Sequence, residues 1–212
     1  MSKVSEPAWP GLVGALFLDV DEAMSRQAQT DTPTNRRGLL RTFVAAVEGL
    51  AWMYREHVME VAETMGLLSD DERRALSETT YFVGEDGKIS EQRRFISTTA
   101  MVRLTARIAA NCALGDQPDF GVEGWENLKQ TIRLRNRITH PKAETDLIVS
   151  VEDISRARSA FFWFSELMMG EMARANDTLR NFSEGLWEVI RLLEAGDETA
   201  LKLYRRLHEE DD

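Results

Sequence analysis

Apolar residues recur at helical spacing along nearly the whole chain, and this pattern restricts the possible folds more than any other feature. Leu12, Val13, Leu16, Phe17, Val20 and Met24 make one stripe, which predicts a first amphipathic helix. Thr32 and Pro33 form a cap and first-turn pair. From there Leu40, Phe43, Val44, Val47, Leu50, Ala51, Tyr54, Val58, Val61 and Met65 carry a second stripe to Gly66, a long helix expected to be central. Ser69 and Glu72 stand at capping-box spacing and open a short third helix. Tyr81-Phe82-Val83 and the Asp86-Gly87 pair predict a small hairpin or ordered loop near 80–90. A fourth helix is expected from about Ile96 to Leu114, ended by Gly115, with a linker containing Pro118 behind it.

A fifth helix is predicted from about Val122 to Thr139, where Pro141 stops it. Ser150 with Asp153 caps the next helix, carried by Ile154, Ala157, Phe161, Phe164, Met168 and Met172. Two shorter helices are expected after it, one holding Leu186, Ile190 and Leu193, the other Leu201, Tyr204 and Leu207, before the acidic end Glu209 to Asp212. The run Phe161-Phe162-Trp163-Phe164 offers aromatic faces for stacked bases, but at helical spacing it reads as core or dimer surface. The fold class is therefore all-α, with residues 1–212 read as a single helical domain.

The chain has 212 residues, 43% of them hydrophobic, enough to bury one sizeable core. A net charge of -10 and a sequence pI near 4.9 argue against broad coating of nucleic acid, which needs an extended basic face. Cys112 is the only cysteine, so no intramolecular disulfide or thiolate metal site can form, which suits a reducing cytoplasm; its apolar setting predicts a core position. The apolar run Leu12 to Leu18 is too short to span a bilayer, and it lies between Glu6 and the pair Asp19 and Asp21. A soluble, cytoplasmic protein without membrane association is expected.

Against this acidic background, Arg135-Asn136-Arg137-Ile138-Thr139-His140 brings two guanidinium groups, an amide and an imidazole to the end of the fifth helix. Between Trp125 and Lys142, Glu126 stands against Lys129, Arg133, Arg135, Arg137 and Lys142, a local charge of +4 that leaves -14 for the rest. Such an island suggests a bound anion or an acidic partner surface, although bases in a last helical turn also complement the helix dipole. Residues five apart on an ideal helix are about 140° apart around its axis, so Arg135 and His140 would not share a face. Pro141 disfavours helical geometry at His140 and lets the imidazole leave the regular path; a second chain is the other way to bring such groups together. Trp125, Leu128, Ile132 and Thr139 make a stripe beside Arg135 and Asn136, a seam that suits a two-fold interface.

The pattern of Arg135, the polar Asn136, three residues and His140, late in an all-helical chain and between two long helices, resembles the HEPN superfamily. The resemblance covers a core of about 34–174, for which it implies an up-and-down helical bundle, and leaves the helices at 11–29 and 183–208 as accessory. It implies a HEPN-type bundle whose motif lies at the interface of a homodimer, and a metal-independent endoribonuclease needing no cofactor. Members of that superfamily act as toxins, some paired with nucleotidyltransferase-type antitoxins, or as effectors of antiviral phage defence. By this resemblance Arg135, Asn136 and His140 are the catalytic residues. A ribose 2′-hydroxyl would attack the adjacent phosphorus and leave a 2′,3′-cyclic phosphate; Arg135 would stabilise the phosphoryl charge, His140 would serve as general base or acid, and Asn136 would orient imidazole or phosphate. Lys129, Arg133, Arg137 and Lys142 are candidate RNA-binding and phosphate-binding residues.

His57, His140 and His208 are far apart and lack nearby His or Cys companions, so no metal cluster is read from them, although the many carboxylates leave a magnesium site open. His57 and His208 read as ordinary helix residues. Two other functions fit the same residues: a non-catalytic HEPN-like module that binds a nucleotide, RNA or partner without turnover, and a helical adaptor whose basic helix end docks an acidic protein.

Overall fold

The computed structural model describes residues 9–113 and 115–209, so Glu6, the fourth-helix end expected at Leu114 and the last acidic residues lie outside it. The side chains of Leu207, His208 and Glu209 are likewise outside the described set. Seven α-helices and one two-stranded sheet are found among the described residues, an all-α bundle. They are α1 (Trp9–Gln29), α2 (Pro33–Thr64), α3 (Asp70–Leu76), β1 (Thr79–Val83), β2 (Ile89–Arg93), α4 (Thr98–Ala113), α5 (Glu123–Thr139), α6 (Val151–Glu194) and α7 (Glu198–Glu209).

Helix α2 is central because it is apolar around most of its circumference: Leu40, Phe43, Val44, Leu50, Tyr54 and Val58 are fully buried. It packs against α1, α4, α5 and α6. Its start follows the expected local chemistry, with Thr32 Oγ1 accepting from the Asn35 amide and Pro33 in the first turn. The Ser69 and Ser150 capping boxes form as their spacing predicts. Where α2 packs against α6, the ring of Phe161 lies 5.5 Å from Phe43 and 5.3 Å from Phe17 on α1. Val20 and Ala23 join the same core, so α1 is packed into the bundle rather than attached to its surface.

The hairpin near 80–90 is present, with Thr79 opposite Arg93 and Val83 opposite Ile89. Its tip uses the Asp86-Gly87 pair: Gly87 takes φ +75°, and the Gly84 amide donates to the Lys88 carbonyl. Glu78 ties the hairpin base to the bundle, accepting from the Ile96 amide at 3.1 Å and from Arg55 of α2 at 3.3 Å.

Two expectations need correction. The helix anticipated from 183 does not begin there; α6 runs unbroken through 44 residues to Glu194. The polar stretch around Arg174 to Ser183 changes which face is apolar but contains no proline, so nothing interrupts the backbone hydrogen bonds. The break comes at Gly196, whose φ of +74° lets the chain turn back into α7. In the aromatic run, Phe161 and Phe164 are core, whereas Phe162 is exposed.

Close approach of α5 to α6 depends on Gly124. A Cβ there would run into the indole of Trp163. Gly124→Val should therefore destabilise the fold by about 1–3 kcal/mol. Urea denaturation followed by circular dichroism checks this.

Candidate functional site at the end of α5

Buried side chains hold α5 in place before its polar end is reached. Trp125, Leu128, Thr131 and Ile138 are buried, and Trp125 packs on Phe120 and on Trp163 of α6. The stripe expected to face a second chain is thus largely filled from within: Trp125 and Leu128 lie in this chain's own core, Ile132 is half-buried, and only Thr139 of that set is exposed. What α5 presents outward is its last turn.

Three carbonyls of that turn have donors. Thr139 Oγ1 donates to the Arg135 carbonyl at 2.7 Å, and the His140 amide donates to the Asn136 carbonyl at 3.1 Å. Arg41 of α2 sends Nη2 to the Ile138 carbonyl at 3.2 Å, a cation at the negative end of the α5 dipole. His140 then leaves the helix, with φ -124° and ψ 58°, ahead of Pro141.

The connector from Pro141 to Ser150 is pinned along its length. Asp146 accepts from the Lys142 and Ala143 amides at 2.8 and 3.1 Å, contacts that lower its carboxyl pKa, with Arg137 and Lys142 adding to the effect. Three guanidinium groups then take successive backbone carbonyls: Arg37 that of Leu147, Arg137 that of Ile148 and Arg36 that of Val149. Arg36 also clamps Asp31, whose carboxyl falls to about 2 mainly through that contact. His140 therefore has a fixed backbone and an exposed imidazole.

Arg135 forms an ion pair with Glu48 of α2. Its side chain is 23% exposed, so part of the guanidinium faces solvent, and five N–H donors leave capacity beyond one carboxylate. Among the described residues no hydrogen bond joins Arg135 to His140. Asn136, Arg133, Arg137 and Lys142 are exposed around the same end of the bundle. Lys129 is not with them: it pairs with Glu126 at 2.5 Å and lies eleven residues before His140, roughly 16 Å back along the axis.

Glu48, Arg41, Arg37 and Arg36 belong to this neighbourhood but were not expected from the sequence. Their signal was a polar strip on an otherwise apolar helix, Arg37, Arg41, Glu48 and Arg55 falling near one face of α2. Glu48 also borders a groove of about 280 Å³ lined with Trp52, Phe95 and Met101, in which Phe95 is 87% exposed.

His57, read as an ordinary helix residue, lies half-buried between α2 and α6. Burial lowers its pKa, offset in part by the Met172 backbone. No group of three or more His, Cys, Asp or Glu residues suited to a metal ion occurs among the described residues, and none of their helices is long and apolar enough to cross a membrane. No family model, curated protein or solved structure matches the chain.

Two outcomes follow from these contacts. Arg41→Ala should cost about 1–3 kcal/mol by leaving the Ile138 carbonyl without its charged donor, measurable by thermal or urea denaturation. For His57 the folded pKa lies below the unfolded value, so the unfolded state binds the proton more readily. Stability should fall as pH drops through about 6.5. His57→Gln should remove that component of the slope in urea titrations at neutral and mildly acidic pH.

Proposed function

We propose that this protein is a metal-independent endoribonuclease of HEPN type that acts as a homodimer, with Arg135, Asn136 and His140 as its catalytic residues. The observation that carries the reading is the exposed imidazole of His140, on a pinned backbone just beyond Arg135 and Asn136 at the basic end of α5. A proton-transfer group gains from a fixed backbone, because the geometry it must reach is set in advance.

In this reading an RNA phosphate lies at the outer edge of Arg135, and Glu48 holds that guanidinium in place by its ion pair. His140 removes the proton from the 2′-hydroxyl or delivers one to the departing 5′-oxygen, and Arg135 offsets charge on the phosphoryl oxygens. Exposed Arg133 and Lys142 steer the strand; Arg137 does so with the donors left free by Ile148. Lys129, nearly two turns before Arg135 and paired with Glu126, meets the strand further along α5. Trp52 and Phe95 give a neighbouring base two aromatic faces for stacking. With Trp125 and Leu128 buried internally, two chains would meet through the polar last turns of α5. A toxin or phage-defence role, with an antitoxin of nucleotidyltransferase type as partner, follows from the resemblance alone.

A second reading has a specific observation behind it. Among the described residues no hydrogen bond joins Arg135 to His140, and Arg135 pairs with Glu48 instead, as expected for a module that binds a nucleotide, RNA or protein partner without turnover.

His140→Ala and Arg135→Ala should each reduce formation of 2′,3′-cyclic phosphate ends by at least about 100-fold, with helicity and mass unchanged. Full activity in both variants discards the catalytic reading. RNA binding by the wild type without cyclic-phosphate product supports the second.

A further inference from the structure

Phe95, between β2 and α4, is an almost fully exposed aromatic ring on a fixed backbone. Both of its neighbours in the chain are tied to Glu78: the Arg94 amide donates to the Glu78 carbonyl at 2.7 Å, and the Ile96 amide to its carboxylate at 3.1 Å. Glu78 itself takes φ +52°, the only non-glycine residue with positive φ among those described. A side chain holds that conformation only where surrounding contacts enforce it. The phenyl ring thus stands in water at a set position, without the burial that ordinarily accompanies an aromatic side chain.

Phe95 shares a groove of about 280 Å³ with one face of α2, on which Glu48, Trp52 and Arg55 follow at four- and seven-residue spacing. The buried Ala51 and Met101 also line it. Drug-sized ligands occupy pockets of about 300–1,000 Å³, so a groove of this size suits a single base.

Its polar groups sort by position. Glu48 and Arg55 are separated by roughly 10 Å along the α2 axis, with Trp52 between them. Glu48 accepts from Arg135 through Oε1, and among the described residues its second oxygen takes no hydrogen bond. Arg55 donates two N–H groups to Glu56 and one to Glu78, which leaves two of its five. Free acceptor capacity at one end and free donors at the other match a base with its donors on one edge and its acceptors on another. Guanine has that layout: N1–H and the N2 amino group on the first, O6 and N7 on the second. Adenine lacks the N1 proton and turns an amino donor toward the arginine, and the pyrimidines have no N7.

Glu48 also joins the groove to the α5 terminus, because the carboxylate that borders the groove pairs with Arg135. A base in the groove and a phosphate at Arg135 therefore belong to neighbouring units of one strand. We propose that, with RNA placed as in the ribonuclease reading on which this rests, the groove is a guanine subsite. The base lies between Trp52 and Phe95, Glu48 accepts from N1–H and N2–H, and Arg55 donates to O6 and N7.

Single-stranded 2′-O-methyl hexamers that differ in one central base test this, because they report binding and cannot be cleaved by 2′-hydroxyl attack. In fluorescence anisotropy the full-length chain should bind the guanine hexamer at least about tenfold more tightly than those with adenine, cytosine or uracil. Phe95→Ala should weaken all four by about tenfold, as loss of a stacking face does. Glu48→Gln should remove the guanine preference and leave the other three affinities nearly unchanged. Hypoxanthine, without the N2 amino group, and 7-deazaguanine, without N7, should each bind less well than guanine, a check that alters no side chain. Equal binding of the four hexamers up to about 100 µM overturns the proposal, as does a guanine preference that survives Glu48→Gln. Guanosine monophosphate competing as tightly as the hexamer overturns the assignment to RNA. Guanine-selective binding without cyclic-phosphate product discards only the catalytic reading, whereas cleavage indifferent to the base discards only the subsite.

Discussion

The packing of α2 along α6 is the contact on which the rest of the molecule depends. Phe43, Tyr54, Phe161 and Phe164 are fully buried, and the bundle's other main helices, α1, α4 and α5, are positioned against one or both of these two helices. Dense packing of this kind transmits position, because a close-packed interior resists small displacements. The α5 helix is located partly by the missing side chain of Gly124, over which Trp163 sits, and partly by Trp125 and Ile138. The end of α5, and with it Arg135 and His140, is therefore fixed by core packing well before any polar contact is considered.

Cations then finish the job that apolar packing begins. Arg36, Arg37, Arg41 and Arg137 each donate to a backbone carbonyl in or just after α5. Those carbonyls belong to a helix terminus and an irregular connector, where the chain's own amides leave acceptors unsatisfied. A guanidinium suits that duty because its rigid fork offers several donors while its charge remains permanent. Part of the basic island thus serves the fold. The same residues retain donors for an outside ligand, so structural duty and phosphate binding are compatible roles for one side chain.

The long α6 helix serves two environments in succession. Through Ala175 it lines the core, and beyond that point it projects with α7 as a hairpin that keeps a broad apolar face. The stripe of α5 that suggested a place for a second chain is occupied by the molecule's own aromatic rings. The larger exposed apolar surface lies instead at the far end of α6.

Helical spacing, capping chemistry and the Asp86-Gly87 turn determined the all-α class, the caps at Thr32, Ser69 and Ser150, and the small hairpin, because each is a local preference expressed within a few residues. The grouping of Arg135, Asn136 and His140 at one helix end was legible for the same reason, since Pro141 must stop α5. The continuity of α6 past 183 was not, because a shift of apolar face resembles a break when neighbouring helices are unknown. Nor did the sequence reveal that Glu48 holds Arg135 or that Trp125 fills an internal seam. Those relations join residues far apart in the chain, and only the packing of α2, α5 and α6 decides them.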